Sequence, residues 1–229
     1  MAEFVEGKRP VLEALKANIP AKCLYVADGL KGDKVVSDVV KRCHKMGVSV
    51  KQVKRSDLDA RSERGSHHGL MLETRPYQYA SAQDVIDAAQ THADEHNGQA
   101  LIIILDHITD AGNLGAIARS AEIVGASGIL IPNKRSARVT AATYKSSAGA
   151  ISHIKVAQVG NIAQTIERLK KENFWVAGAS EQATECIWDA PMAGRLVLVM
   201  GSEGEGLSRL TKALRLFSRA STGRTSRLA

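Results

Sequence analysis

Two glycine-rich segments, each following an apolar run, carry the residues best suited to chemistry. The first lies within Leu101 to Pro132, LIIILDHITDAGNLGAIARSAEIVGASGILIP. An apolar run ends in Asp106, and an Asn-Leu-Gly loop leads into a helix bearing one arginine, Arg119. Ile117, Ala118, Ala121, Ile123 and Val124 are expected to form the inward stripe of that helix. Arg119 falls off the stripe, near the expected helix start. A guanidinium there can point over the carboxyl edge of a sheet, where open α/β sheets place their ligands. The second segment, Leu196 to Arg209, reads LVLVMGSEGEGLSR. Its strand, Leu196 to Met200, runs into Gly201-Ser202-Glu203-Gly204-Glu205-Gly206, whose glycines permit a tight turn and close approach to a ligand. A phosphate cradle fits badly. The spacing is neither G-x-G-x-x-G nor a P-loop, no lysine follows the last glycine, and Glu203 and Glu205 repel phosphate. Backbone donors beside carboxylates suit an uncharged or cationic nucleoside better. Taken singly, each segment also has a plainer reading, as a solvated surface arginine and as an acidic strand-to-helix turn.

Together the segments are more specific. D-x-x-x-D-x-x-N-x-G-x-x-x-R-x-A from Asp106 to Ala121, followed by V-M-G-S-E-G-E-G-L from Val199 to Leu207, resembles the SpoU branch of the SPOUT RNA methyltransferases. I-P-N-K-R-S-A at Ile131 to Ala137 and G-R-L-V-L-V-M-G at Gly194 to Gly201 resemble the subgroup that 2′-O-methylates a guanosine in 23S ribosomal RNA. The N-terminal E-G-K-R-P-V-L-E-A-L and the H-H-G-L of His67 to Leu70 are similar to the family's small substrate-binding domain, which is related to a ribosomal-protein fold. The resemblance implies S-adenosylmethionine as methyl donor, ribosomal RNA as partner, a homodimer, and neither metal nor membrane. It implies catalytic roles for Asn113, Arg119 and Glu203. It implies cofactor contacts from Ala179, Gly201, Gly204, Gly206 and Leu228, and RNA contacts from Lys41, Arg42, Lys51, Lys54 and Arg55. Methylation of transfer RNA or of another ribosomal site, and an inactive RNA-binding remnant, are the alternatives.

The elements that must position these residues are read from periodicity. Val11 to Lys16 and Lys34 to Lys45 read as helices, and Cys23 to Val26, Val48 to Val53 and Gly69 to Glu73 as strands, which makes a small α/β unit. Arg75 to Ala80 is the expected connection, and Ser81 the cap of a helix from Ala82 to about His96. Beyond it come strand candidates Leu101 to Asp106, Gly128 to Pro132, Ile154 to Gln158, Phe174 to Gly178 and Leu196 to Met200. Helical segments between them, Ala163 to Glu172 included, imply a mostly parallel sheet. The fold class is therefore α/β, divided into a substrate-binding domain (1–76), a linker and helix (77–98) and a methyltransferase domain (99–229). The resemblance adds a C-terminal trefoil knot, whose completion depends on the chain's ending.

Composition sets limits on partners. Cys23, Cys43 and Cys186 lack metal-site spacing and read as reduced thiols of a cytoplasmic protein. No apolar run reaches membrane-spanning length, and the first residues lack a signal-peptide core. The net charge of +7 sits mostly in residues 207–229, where Arg209, Lys212, Arg215, Arg219, Arg224 and Arg227 meet no acid. The basic clusters before residue 77 are RNA-contact candidates through the resemblance alone. His67 and His68 read as strand-ending residues, and Trp175 and Trp188 as core.

The ending departs from the family pattern. The third family motif resembles S-I-P-M-x-G-x-x-S-S-L-N-V-S and is followed by a helix. This chain reads LFSRASTGRTSRLA from Leu216 to Ala229, without the Ile-Pro pair and with Ala229 where asparagine is expected. A shifted reading frame near Lys212 and a natural truncation both account for this. Either implies weakened cofactor binding and dimerisation.

Overall fold

A computed structural model describes residues 3–30, 33–62, 65, 67–180, 183, 185–186, 193–202, 206–207 and 215–218. The first unit comprises β1 (Glu3–Glu6), α1 (Lys8–Lys16), β2 (Ala21–Ala27), α2 (Lys34–Lys45), β3 (Ser49–Val53), α3 (Arg55–Asp59) and β4 (Leu70–Thr74). Its mixed sheet runs β1-β4-β2-β3, with β2 parallel to β3 and antiparallel to β4. Period-two burial sorts the strand residues. Leu24 and Val26 pack with Val11, Leu15, Val36 and Val39 from α1 and α2, while Cys23, Tyr25 and Ala27 pack with Leu58 from α3. Asp33 starts α2 by accepting the N–H groups of Val35 and Val36, and it also pairs with Lys8 at 2.6 Å. Two elements, β1 and α3, go beyond what periodicity indicated, because neither is long enough to display a period.

The second unit begins with α4 (Ala82–Glu95). Ser81 caps it as expected, in a reciprocal capping box with Asp84. Then follow β5 (Ala100–Asp106), α5 (Ala111–Ile123), β6 (Gly128–Pro132), α6 (Ala141–Ser146), β7 (Val156–Val159), α7 (Ile162–Lys171), β8 (Trp175–Ala179), β9 (Glu185–Cys186), β10 (Arg195–Gly201) and β11 (Arg215–Ser218). The described strands form one sheet, β7-β6-β5-β10-β8-β11-β9, with every described pairing parallel. Both of its faces are covered, so the central strands are apolar on both sides. Ile103 and Leu105 of β5 meet Leu114, Ala118 and Ala121 of α5. Ile102 and Ile104 meet Val85, Ile86, Ile166 and Leu169 of α4 and α7. The segments that would complete a knot lie largely outside the described residues. Among the described residues, no helix is long and apolar enough to cross a membrane.

The inward face of α5 differs from expectation. Leu114, Gly115, Ala118 and Ala121 are its buried residues, whereas Ile123 is 71% and Val124 64% exposed. The helix begins earlier than the Asn-Leu-Gly reading implied, because Asp110 accepts the N–H of Asn113 at 2.7 Å and sets the start at Ala111. With that start, 114, 118 and 121 share one face, and Ile123 and Val124 turn outward. Gly115 is needed for packing, since a Cβ there would lie 2.6 Å from the Thr143 carbonyl oxygen on α6.

Candidate active site at the carboxyl edge of the parallel sheet

The two chemical segments converge through strand register. In the parallel pairing of β10 with β5, Gly201 stands opposite Asp106, the last residue of each strand. On the other flank of β10, Met200 stands opposite Ala179, the end of β8, and Ala179 in turn pairs with Phe217 of β11. Neighbouring strands lie about 4.8 Å apart, so Asp106, Gly201 and Ala179 share one edge within about 10 Å. Asn113, in the first turn of α5, leaves from the same edge. Glu203, Gly204 and Leu228 lie outside the described residues.

The local structure accounts for the glycines of the second segment. Ser202 and Gly206 exchange backbone hydrogen bonds in both directions, at 3.1 and 2.9 Å, and close the loop on itself. A Cβ at Gly201 would stand 2.1 Å from the Gly206 carbonyl carbon and 2.4 Å from the Leu207 nitrogen. The loop can fold back only because residue 201 lacks a side chain. The N–H and C=O of Gly206 are spent within the loop, which leaves its Cα face as its available surface. Gly201 at the end of β10 and Gly178 and Ala179 at the end of β8 leave small residues along this stretch of the edge.

Arg119 is exposed, but it does not sit near the helix start. It is eight residues beyond Ala111, about 12 Å along the axis at 1.5 Å per residue. The shift follows from the early start at Asp110. The structure thus brings Asp106, Gly201 and the start of α5 together and leaves Arg119 about two turns along the helix.

The sequence reading missed the pair at the end of β5. Asp106 is fully buried, and its Oδ1 lies 2.5 Å from Nδ1 of His107, whose backbone is left-handed at φ 61°. The available signal was an acid ending an apolar run, because a carboxylate so placed must find a partner.

Away from this edge, the proposed RNA-contact residues Lys41, Arg42, Lys51, Lys54 and Arg55 are all exposed. Lys51 is in register with Tyr25 and so shares the α3 face, whereas Lys41 and Arg42 ride on α2 across the sheet. The two groups meet only around β3, the edge strand, where a lysine also guards against edge-to-edge pairing. The Glu13 carboxyl is held below its usual range first by Lys16, with Lys145 and Arg42 adding to the effect, so cations of α1, α2 and α6 converge there. His67, by contrast, is a latch. Gly69 N–H donates to its Nδ1 at 3.0 Å, so Nε2 carries the hydrogen given to Asp59 at 2.8 Å. A cleft of about 670 Å³ lies at the amino end of β7, lined by Arg75, Tyr77, Tyr79, Tyr144, His153 and Lys155. Burial pushes the Tyr77 phenol up to about 12.

Comparison with known proteins agrees with this architecture. An uncharacterised tRNA/rRNA methyltransferase of Mycobacterium sp. (strain KMS) is 40% identical over 210 residues, covering 92% of this chain and 66% of the relative. A relative of the same description from Mycobacterium tuberculosis (strain ATCC 25177 / H37Ra) is 39% identical, covering 92% of this chain and 64% of the relative. The chain thus spans somewhat less than two thirds of these relatives' length. Among solved structures, the SpoU methyltransferase AviRb from Streptomyces viridochromogenes, in complex with AdoMet, superposes with a TM-score of 0.65. That match has 20% identity and covers all of this chain and 84% of AviRb. An AdoMet-bound rRNA methyltransferase from Sinorhizobium meliloti gives 0.60 at 22% identity, covering all of this chain and 82% of that one. Residues 4–80 match the RNA 2′-O ribose methyltransferase substrate-binding model. Residues 100–217, which hold the whole carboxyl edge, match the SpoU rRNA methylase model, and the chain belongs to that family.

Proposed function

We propose that this chain transfers a methyl group from S-adenosylmethionine to the 2′-hydroxyl of a guanosine in 23S ribosomal RNA, in the cytoplasm. The observation that carries the reading is the register of Gly201 with Asp106, which joins the glycine loop and the start of the arginine-bearing helix at one edge. Family membership and the tRNA/rRNA methyltransferase description of the mycobacterial relatives support RNA as substrate. The substrate-binding unit before residue 80 favours ribosomal RNA, since minimal relatives acting on transfer RNA often lack such a unit.

Bound S-adenosylmethionine supplies a methyl group already activated by its sulfonium. The chain must therefore hold a poor nucleophile, the ribose hydroxyl, in line with that methyl, and alignment of this kind can contribute many kcal/mol. Gly201, Gly204, Gly206, Ala179 and Leu228 are assigned to the adenosyl moiety. Arg119 stabilises the oxygen as negative charge develops and grips an RNA phosphate, because a guanidinium stays charged and cannot accept a proton. Asn113 orients the ribose or Arg119, and Glu203 supports the arginine or the substrate. Lys41, Arg42, Lys51, Lys54 and Arg55 hold RNA around the β3 edge, with the chain divided as 1–76, 77–98 and 99–229. Exposed Ile123 and Val124, on the helix that bears Arg119, offer an apolar contact for a second copy.

Incubation with tritiated cofactor and total RNA, followed by mapping of the labelled nucleotide, tests the reading. Label at a guanosine 2′-oxygen of 23S RNA is the expected result. Label in transfer RNA moves the substrate, and an absence of label in any RNA overturns the activity.

A further inference from the structure

The cleft of about 670 Å³ at the amino end of β7 has no part in the reading above. Its volume lies within the range of ligand pockets, about 300–1,000 Å³. In a parallel sheet the amino ends lie together, so it opens at the far end from Asp106 and Gly201, about 20 Å away along the strand direction. Both units and their connection build it. Arg75 N–H donates to the Pro20 carbonyl of the first unit at 2.7 Å, and Ala80 N–H to the Val156 carbonyl of β7 at 2.9 Å. Tied at both ends, the connection stands as a fixed wall. Its Tyr77 donates to the Ile154 carbonyl at 3.4 Å, and its Tyr79 accepts the Val139 N–H at 2.9 Å. Both rings are half-buried, line the cleft and meet edge-on, with centroids 5.0 Å apart at 75°. Such a pairing covers only one face of one ring. Charge points the same way. Arg75, His153 and Lys155 are exposed around the cleft, whose described lining holds no aspartate or glutamate. Among the described residues, neither Arg75 nor Lys155 makes an ion pair. Asp84 feels Lys155, but its carboxyl is held below the usual range first by the Ser81 backbone N–H, with Lys155 the last influence.

We propose that this cleft takes up an unpaired stretch of the RNA substrate, remote from the nucleotide that is methylated, with phosphates on Arg75 and Lys155 and a base against Tyr77 or Tyr79. Cations beside aromatic rings are what a single strand requires, since its phosphates meet the cations and its bases stack on the ring faces. A duplex offers the same phosphates but keeps its base faces stacked inside. The inference rests on the reading of RNA as substrate, and not on which nucleotide receives the methyl group. A strand that reaches both ends of the sheet must run several nucleotides along the second unit. The cleft therefore adds affinity and selects RNA with a single-stranded flank, while the chemistry stays at the carboxyl edge. A mononucleotide carries one phosphate and engages only part of this rim, so it should bind far more weakly than a strand.

Ultraviolet cross-linking of an oligouridine to the full chain, read by peptide mapping, locates the strand. The expected adducts fall on the segment from Arg75 to Ala80. Arg75→Gln combined with Lys155→Gln changes two exposed side chains and should leave the melting temperature unchanged. It should weaken oligouridine binding about tenfold and lessen the salt slope by about 1–2, as the loss of two phosphate contacts to a single strand requires. Tyr77→Leu keeps apolar bulk but loses the flat face, and should weaken oligouridine about tenfold while sparing a blunt RNA hairpin. Adducts confined to other segments, or an unchanged affinity in the double variant, would overturn the proposal. So would an equal loss for hairpin and oligouridine in Tyr77→Leu, or uridine monophosphate bound as tightly as the oligouridine. If the wild-type chain methylates no RNA yet cross-links at this segment, the methyl-transfer reading falls and the cleft assignment stands. If it methylates RNA without an adduct here, the cleft assignment alone falls.

Discussion

At the residue scale, Arg119 and Gly201 separate function from packing in opposite ways. Arg119 is exposed on α5, outside the buried set of Leu114, Gly115, Ala118 and Ala121. Arg119→Ala should change stability by no more than about 0.5 kcal/mol, the usual range for surface substitutions. Methyl transfer should nevertheless be abolished, because the alkoxide and phosphate lose their cation. Thermal melting beside a methyl-incorporation assay checks this, and a large fall in Tm with retained turnover would make Arg119 structural. Gly201→Ala should do the reverse damage first. Its Cβ would meet backbone atoms of Gly206 and Leu207, which cannot rotate aside. A cost of about 1–3 kcal/mol is expected from such overpacking. Denaturant titration measures it, and cofactor affinity should fall with it. The need for glycine at 201 was legible in the sequence as a tight turn, and the structure gives its cause in the backbone of Gly206 and Leu207 packed against it. The acid ending the apolar run was the one signal for the pair at the end of β5, and only the structure shows Asp106 sealed from water with His107 as its partner.

Among the elements, legibility followed length and burial. The buried parallel strands declared themselves as apolar runs, α2 as an apolar stripe and α4 through its cap Ser81, while the structure shows Asp33 and Asn161 likewise starting α2 and α7. The face of α5 was misjudged because its stripe uses Gly115 and Ala118, small residues that hydrophobicity underweights, while Ile123 and Val124 look inward by type alone. Strand β4 shows what pattern cannot supply. Its Glu73 is buried, taking a hydrogen bond from Lys22 at 2.7 Å and another from Tyr25 at 2.7 Å. Lys22 first, then Tyr25, hold the Glu73 carboxyl below its ordinary value. A carboxylate depressed in the folded state binds its proton more readily when unfolded. Its contribution is thus complete above the unfolded value near 4.5 and is lost as pH falls through the lower folded value. The wild-type chain should therefore lose stability on acidification below about pH 4.5, and Glu73→Gln should flatten that part of the curve. Urea midpoints measured from pH 6 to pH 3 give the comparison. Parallel curves for the two proteins would remove Glu73 from the account.

For the whole molecule, the two units divide the work, and RNA affinity should follow from charge. Lys41 and Arg42 lie across the sheet from Lys51, so RNA that touches both groups must wrap the β3 edge. Each phosphate contact releases counterions, and the logarithm of affinity should fall linearly with the logarithm of salt. Replacing Lys51 and Lys54 together by alanine should lessen that slope by about 1–2, and filter binding across a salt series tests it. An unchanged slope would exclude the β3 edge.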